Sequence, residues 1–280
     1  MAELELLEYL PGDLFDGTVV FITGGGSGIN LGIAKAFASL GADLAICGRS
    51  ADRLEGAAAE LEELGARVVA APADVRDYDA MVHAVEAARE ELGPIGVLVC
   101  GAAGNFPCLA EDLSANGFKA VVDIDLLGSF NASRAAFDQL AETRGSIVFL
   151  SAGQAFVAYP AQAHVGAAKA GIDQLMRNLA LEWGRYGIRC NSIAPGPIEG
   201  TEGMRRLGPD DPSYHDRLKK AIPLGRYGTV AEIGAAAVFL ASPMAAYITG
   251  TLLVVDGGQN LAGSCPFGEL LDQAMKSRLE

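Results

Sequence analysis

The chain has 280 residues, half of them hydrophobic, and a formal net charge of -14 at pH 7. That charge excludes a general nucleic-acid surface, which needs basic patches, so any anionic ligand must be met by a local cluster of cations. No apolar run reaches the roughly 18 residues of a membrane span, and the acidic start MAELELLEYLPGD is unlike a signal or transit peptide. A soluble, unprocessed cytoplasmic chain with no membrane partner is expected. Cys47, Cys100, Cys108, Cys190 and Cys265 form an odd set without a C-x-x-C pair, which predicts free thiols and neither a disulfide framework nor a metal site.

In chain order, β-rich runs alternate with Ala-rich helical stretches. Strands are predicted at 18–22, 43–47, 67–71, 95–99, 146–150, 188–193 and 252–255, each bounded by Gly, Asp or Pro. Helical spacing occupies 29–40, 51–64, 78–92, 113–140, 164–184 and 230–240, with a break expected in the fourth stretch at Gly117 or Gly128. This alternation predicts an α/β fold of one domain over 1–280. It is a doubly wound, Rossmann-type parallel sheet of seven strands in the order 3-2-1-4-5-6-7, with helices on both faces. Residues 195–223 follow no such period and, being rich in Gly, Pro and charge, are expected to form a lid beyond the carboxyl ends of the strands, with a tail over 259–280.

The first chemical motif follows the first strand: Thr23-Gly24-Gly25-Gly26-Ser27-Gly28-Ile29. Glycines there permit a tight turn and close backbone approach, and the next helix offers unpaired N–H groups to a pyrophosphate, so the segment predicts a dinucleotide site. An NAD-preferring site would place Asp or Glu after the second strand, but the chain reads Cys47-Gly48-Arg49-Ser50. Arg49 beside Ser50 suits a 2′-phosphate and makes NADPH the expected cofactor, against the plain alternative of a solvated arginine.

Further along, Asp74-Val75, the loop Gly101-Ala102-Ala103-Gly104, the segment Ala167-Ala168-Lys169-Ala170-Gly171 and Pro195-Gly196-Pro197-Ile198 together resemble the short-chain dehydrogenase/reductase family across about residues 15–260. The resemblance implies that Asp74 and Val75 contact adenine and that Lys169 bonds the nicotinamide ribose. Ala102, Pro195, Gly196 and Ile198 would line the cofactor, with Thr201 reaching its pyrophosphate or carboxamide. It also implies a homotetramer. Asn30 stands where the family usually closes its glycine motif, and a tolerance of Asn for unusual backbone angles is the expected reason.

Two familiar groups are missing. Val165 replaces the tyrosine of the Tyr-x-x-x-Lys motif, and Ala152 replaces the serine seventeen residues before Lys169, so both donors that polarise a ketone are absent. The segments Ala102-Ala103-Gly104-Asn105-Phe106, Asp123 to Gly128 and Ala194 to Gly203 are similar to the 2,4-dienoyl-CoA reductases, most of all their peroxisomal branch, which also lacks that tyrosine. The tyrosine that the mitochondrial branch keeps fifteen residues before the lysine is Gln154 here. By this resemblance the catalytic group is Lys169, Asp125 and Asp173: Asp125, kept protonated by burial, or a water it holds, donates to the thioester oxygen, and Asp173, one helical turn from Lys169 where the ammonium can tune its carboxyl group, supplies a proton through water, against the plain alternative of a surface ion pair between the two. Asn105, Phe106, Arg205 and Arg206 are expected at an acyl-CoA substrate. The alternatives are an NADPH carbonyl or 3-oxoacyl reductase that uses Tyr159 or water, and a non-catalytic dinucleotide-binding protein. His164 is a further, weaker candidate.

Overall fold

The computed structural model describes residues 7–207 and 212–264. Seven parallel strands form one sheet in the order β3-β2-β1-β4-β5-β6-β7: β1 Val19–Thr23, β2 Asp43–Gly48, β3 Val68–Pro72, β4 Ile95–Cys100, β5 Ser146–Leu150, β6 Arg189–Pro195 and β7 Leu252–Val255. This is the predicted order, with strand ends displaced by a residue or two. Alternate side chains enter opposite faces, as the two-residue period of a strand requires. Val20, Ile22, Leu44 and Ile46 face one hydrophobic layer, and Val19, Phe21, Ala45 and Cys47 face the other. Helices α1 (Gly28–Ala38), α2 (Ala51–Glu62) and α9 (Val230–Ala241) cover the first layer; α3 (Tyr78–Leu92), α5 (Gly128–Thr143) and α6 (Ala163–Trp183) cover the second. Both layers hold fully buried aromatic rings: Phe21, Phe37 and Phe149 have no exposed surface, and truncating any of them to Ala should cost about 3–5 kcal/mol.

The stretch 113–140 is divided as expected near Gly128, but not at Gly117, which lies inside α4 (Ala115–Val122). Between α4 and α5, Asp123–Leu127 forms one turn of wider π-helix. Such turns often occur at functional positions. Gly128 follows it because a Cβ there would come within 2.5 Å of Val75 Cγ2. In the expected lid, two short helices, α7 (Glu202–Leu207) and α8 (Pro212–Ala221), carry too few apolar residues to announce themselves by periodicity. Thr229 caps α9, its hydroxyl accepting from Glu232 N–H while the Glu232 carboxylate accepts from Thr229 N–H. Among the described residues no helix is long and apolar enough to cross a membrane, and no acidic, His or Cys cluster suits a metal ion.

Candidate active site

A cleft of about 910 Å³ opens at the carboxyl ends of the strands and is bordered by the glycine turn, the loops after β2 to β6 and the lid. At one end Gly24 and Gly28 take positive φ values of 73° and 59°, which L side chains rarely adopt. Ser27 precedes α1 with an extended backbone and a hydroxyl that makes no cap hydrogen bond. The helix therefore presents unpaired N–H groups and a free hydroxyl to the cleft, the arrangement that receives a pyrophosphate. Gly26 and Ile29 border the same space.

Asn30 is not strained, as the sequence suggested, but lies within α1. Its Nδ2 donates to Gly101 O at 2.8 Å and to Gly24 O at 3.3 Å, tying the first loop to the loop after β4. Thr23 plays the same part from below: its Oγ1 accepts from the N–H groups of Gly101 at 3.0 Å and Ala102 at 3.2 Å. It does not border the cleft, so its expected contact with the cofactor is replaced by positioning of Ala102, which does.

Arg49 and Ser50 border the cleft after β2, with Arg53 from the first turn of α2 beside them. Both guanidinium groups are exposed and neither forms an ion pair among the described residues. Asp74 is held by Arg76, whose Nε and Nη2 donate to it at 3.0 Å and 2.6 Å, and this bonding lowers its pKa. The pairing leaves Arg49 and Arg53 available. Arg53 was not singled out from the sequence; its signal was its place three residues after Ser50, at the start of a helix. Val75 lines the wall and its carbonyl accepts from Asn131 Nδ2 at 2.9 Å.

At the centre of the cleft Lys169 Nζ donates to Leu150 O at 2.8 Å and lies 3.1 Å from Asp125 Oδ2. Asp125 sits in the π-turn with no exposed surface, and its Oδ1 accepts from Gly104 N–H at 2.7 Å. Both oxygens therefore face donors. This corrects the expected donation from Asp125 to a thioester oxygen: the carboxylate is an acceptor that holds Lys169 and the loop after β4.

The ammonium pairs with Asp125, so Asp173, 4% exposed, forms no ion pair with Lys169, and it does not border the cleft. Burial pushes its pKa up, opposed by the hydroxyls of Ser151 and Ser192 and more weakly by Arg177 and Lys169. Val165 is buried against Val121 and Ala168, while Ala152 and Gln154 border the cleft.

The substrate side is less crowded with the expected groups. Asn105 borders the cleft, but Phe106 does not; its ring packs on His164, centroids 4.5 Å apart. Thr201 borders the cleft with its hydroxyl donated to Ile198 O at 2.8 Å, so the expected reach to a cofactor is as an acceptor only. Pro195, Gly196 and Ile198 line the wall as expected. Arg205 is exposed, pairs with Glu202 at 3.0 Å and stays outside the cleft; the Arg206 side chain lies outside the described ones. Tyr159 borders the cleft, and its hydroxyl donates to Asn260 Oδ1 at 3.2 Å, while Asn260 Nδ2 donates to Asp256 Oδ2 at 2.7 Å. Burial and then Asp256 raise the Tyr159 pKa.

A doubly wound sheet, a glycine turn feeding a helix and a lysine on the facing wall define a dinucleotide-dependent oxidoreductase. The family model described as enoyl-(acyl carrier protein) reductase matches residues 24–260. The peroxisomal 2,4-dienoyl-CoA reductase of Saccharomyces cerevisiae is 45% identical over 94% of this chain and 91% of its own length. A probable 2,4-dienoyl-CoA reductase of Bacillus subtilis is 42% identical over 86% of this chain and 95% of its own. Among solved structures, a gluconate 5-dehydrogenase from Burkholderia cenocepacia in complex with NADP and tartrate matches with a TM-score of 0.83 at 31% identity, covering 89% of this chain and 98% of that one. The chain belongs to the short-chain dehydrogenase/reductase family.

Proposed function

We propose that the protein reduces 2,4-dienoyl-CoA thioesters to 3-enoyl-CoA with NADPH. The observation that carries this reading is a cleft lysine held by the buried Asp125 where both ketone-polarising hydroxyls are replaced, by Val165 and Ala152. The relatives named for dienoyl-CoA reduction support it. A conjugated dienoyl thioester accepts hydride at C5 and passes electron density through both double bonds to the thioester oxygen. It requires positive charge near that oxygen and a proton for a carbon, not a tyrosine aimed at a ketone.

Bound in the cleft, the reduced nicotinamide would supply the hydride. Gly24, Gly26, Ser27, Gly28 and Ile29 would receive its pyrophosphate, Asp74, Val75 and Ala102 its adenosine, and Pro195, Gly196, Ile198 and Thr201 its nicotinamide. Arg49, Ser50 and Arg53 would receive the 2′-phosphate, two uncommitted cations being a poor match for a bare ribose. Lys169 would offer its ammonium to the ribose and the developing oxyanion, with Asp125 holding that ammonium in place. Asp173 is the proton source, because burial favours its protonated form.

Exposed Leu127, Phe130 and Leu181, with Val254 on the sheet edge, supply apolar surface for a homotetramer. Cytoplasmic placement remains part of the proposal, although the yeast relative is called peroxisomal.

A substrate panel tests the function. NADPH oxidation with 2,4-dienoyl-CoA, and a 3-enoyl product by mass spectrometry, is the expected result. Preference for 3-oxoacyl thioesters or ketones would instead support a carbonyl reductase, and tight NADPH binding without turnover of any of them a binding protein.

A further inference from the structure

An asparagine on the buried face of a helix is costly unless its amide finds partners away from water. Asn131, one turn after Gly128 on α5, is 5% exposed. Its Nδ2 donates to Val75 O at 2.9 Å, across 56 positions of sequence. The donor is spent on the loop between β3 and α3, residues 73–77, and not on its own helix.

The start of that loop is held where Ala73 N–H donates to Gly48 O at 3.0 Å. Its turn is shaped from within, by Asp77 N–H on Asp74 O at 2.9 Å and by the pairing of Arg76 with Asp74. Val75 lies in the middle, 6% exposed and bordering the cleft, and α5 reaches it twice. Gly128 leaves no room for a Cβ, which would lie 2.5 Å from Val75 Cγ2, and three residues on, along the same helix face, Asn131 takes the carbonyl. One turn of helix therefore fixes both the side chain and the backbone of Val75. That turn follows directly on the π-turn of Asp125, with Ser129 Oγ donating to Asp125 O at 2.5 Å. The wall at Val75 and the partner of Lys169 are mounted on one element.

We propose that Asn131 is a positioning residue for the cofactor, acting through Val75 to set the wall against which the adenine lies. This rests on the NADPH reading of the cleft given above. An apolar wall attracts a ring only at contact distance, and a gap of about 0.5–1 Å forfeits a quarter to a half of that attraction. Without the amide, the Val75 carbonyl is left buried and unpaired, and its peptide turns to find another donor. The loop then loses its distance from the ring. The nicotinamide half is held by other loops, so the loss belongs to the adenosine half.

Titration calorimetry on the cofactor-free full chain tests this with NADPH and with 2′,5′-ADP, which carries the adenosine half and its phosphates without nicotinamide. Asn131→Leu, of similar size but with no donor, should weaken both ligands by the same factor, about 3- to 10-fold, the scale of one hydrogen bond. Val75→Ala should weaken both as well. Because the amide acts through Val75, the double variant Asn131→Leu, Val75→Ala should bind 2′,5′-ADP within about twofold of Val75→Ala alone, whereas independent losses would multiply. A merely structural amide would lower the melting temperature and leave the 2′,5′-ADP affinity parental. That result overturns the role, as does a double variant whose losses multiply, or a loss for NADPH with none for 2′,5′-ADP. Asn131→Ala repeats the cycle should the leucine variant not fold. A parent that binds 5′-AMP as tightly as 2′,5′-ADP refutes the NADPH reading instead, and the same cycle run with 5′-AMP still decides the role of Asn131.

Discussion

Removing Asp125 should damage the protein well before any question of turnover arises. Its Oδ2 lies 3.1 Å from Lys169 Nζ, with side chains 0% and 8% exposed. At an effective dielectric of about 20, two unit charges at that distance attract by about 5 kcal/mol, offset by the cost of taking both from water. Asp125→Ala leaves the desolvation of the ammonium uncompensated, with only the Leu150 carbonyl as partner, and strands the Gly104 N–H. The expected loss is about 3–5 kcal/mol, or about 5–9 °C in Tm for a chain of 280 residues. Asp125→Asn keeps an acceptor for Gly104 and should lose less. The double variant Asp125→Ala, Lys169→Met removes both charges and should melt above Asp125→Ala alone. Calorimetric melting of the cofactor-free protein measures all three. An Asp125→Ala protein that melts within 1 °C of the parent, or a double variant less stable than that single one, would refute a closed buried pair.

Arg49→Ala and Arg53→Ala should each weaken NADPH by about 10-fold or more and leave NADH unchanged, the scale of a lost charge-assisted contact, as read by titration calorimetry. Tyr159→Phe should leave kcat almost unchanged because its hydroxyl is donated to Asn260; abolished turnover would make that tyrosine the acid. Hydrogen bonds from Arg226, joined by those of Thr229, hold the Glu232 carboxylate down at about 2. Its stabilising contribution is therefore full above its ordinary value of 4.5 and lost as pH falls towards 2. Solvent screening limits it to about 1 kcal/mol, so Glu232→Gln should be less stable than the parent at pH 7 in urea and indistinguishable at about pH 2.

The sheet was legible because strand alternation and turn residues are local signals. Val20 and Ile22 against Val19 and Phe21 already assign two faces. The site was legible where it follows a strand end, as at Arg49 and Pro195. It was not legible where a partner comes from a distant element. The spacing of Lys169 and Asp173 put both on one helix face, but the ammonium pairs with Asp125, which comes from a π-turn that has no sequence period. Arg53 was hidden among ordinary helix-starting charges, since it advertises no neighbour in another element. The lid helices escaped because polar short helices show little apolar periodicity.

The bond from Asn30 to Gly101 also constrains how this chain can change. A Cβ built on Gly101 would lie 2.0 Å from Asn30 Oδ1, so the two positions share one space and only one can carry the amide. Either substitution alone is expected to fail, Gly101→Asn by collision and Asn30→Gly by leaving an unfilled gap beneath the cofactor turn. The amide can pass from one loop to the other only if both positions change together, so the two residues form a lock with two keys.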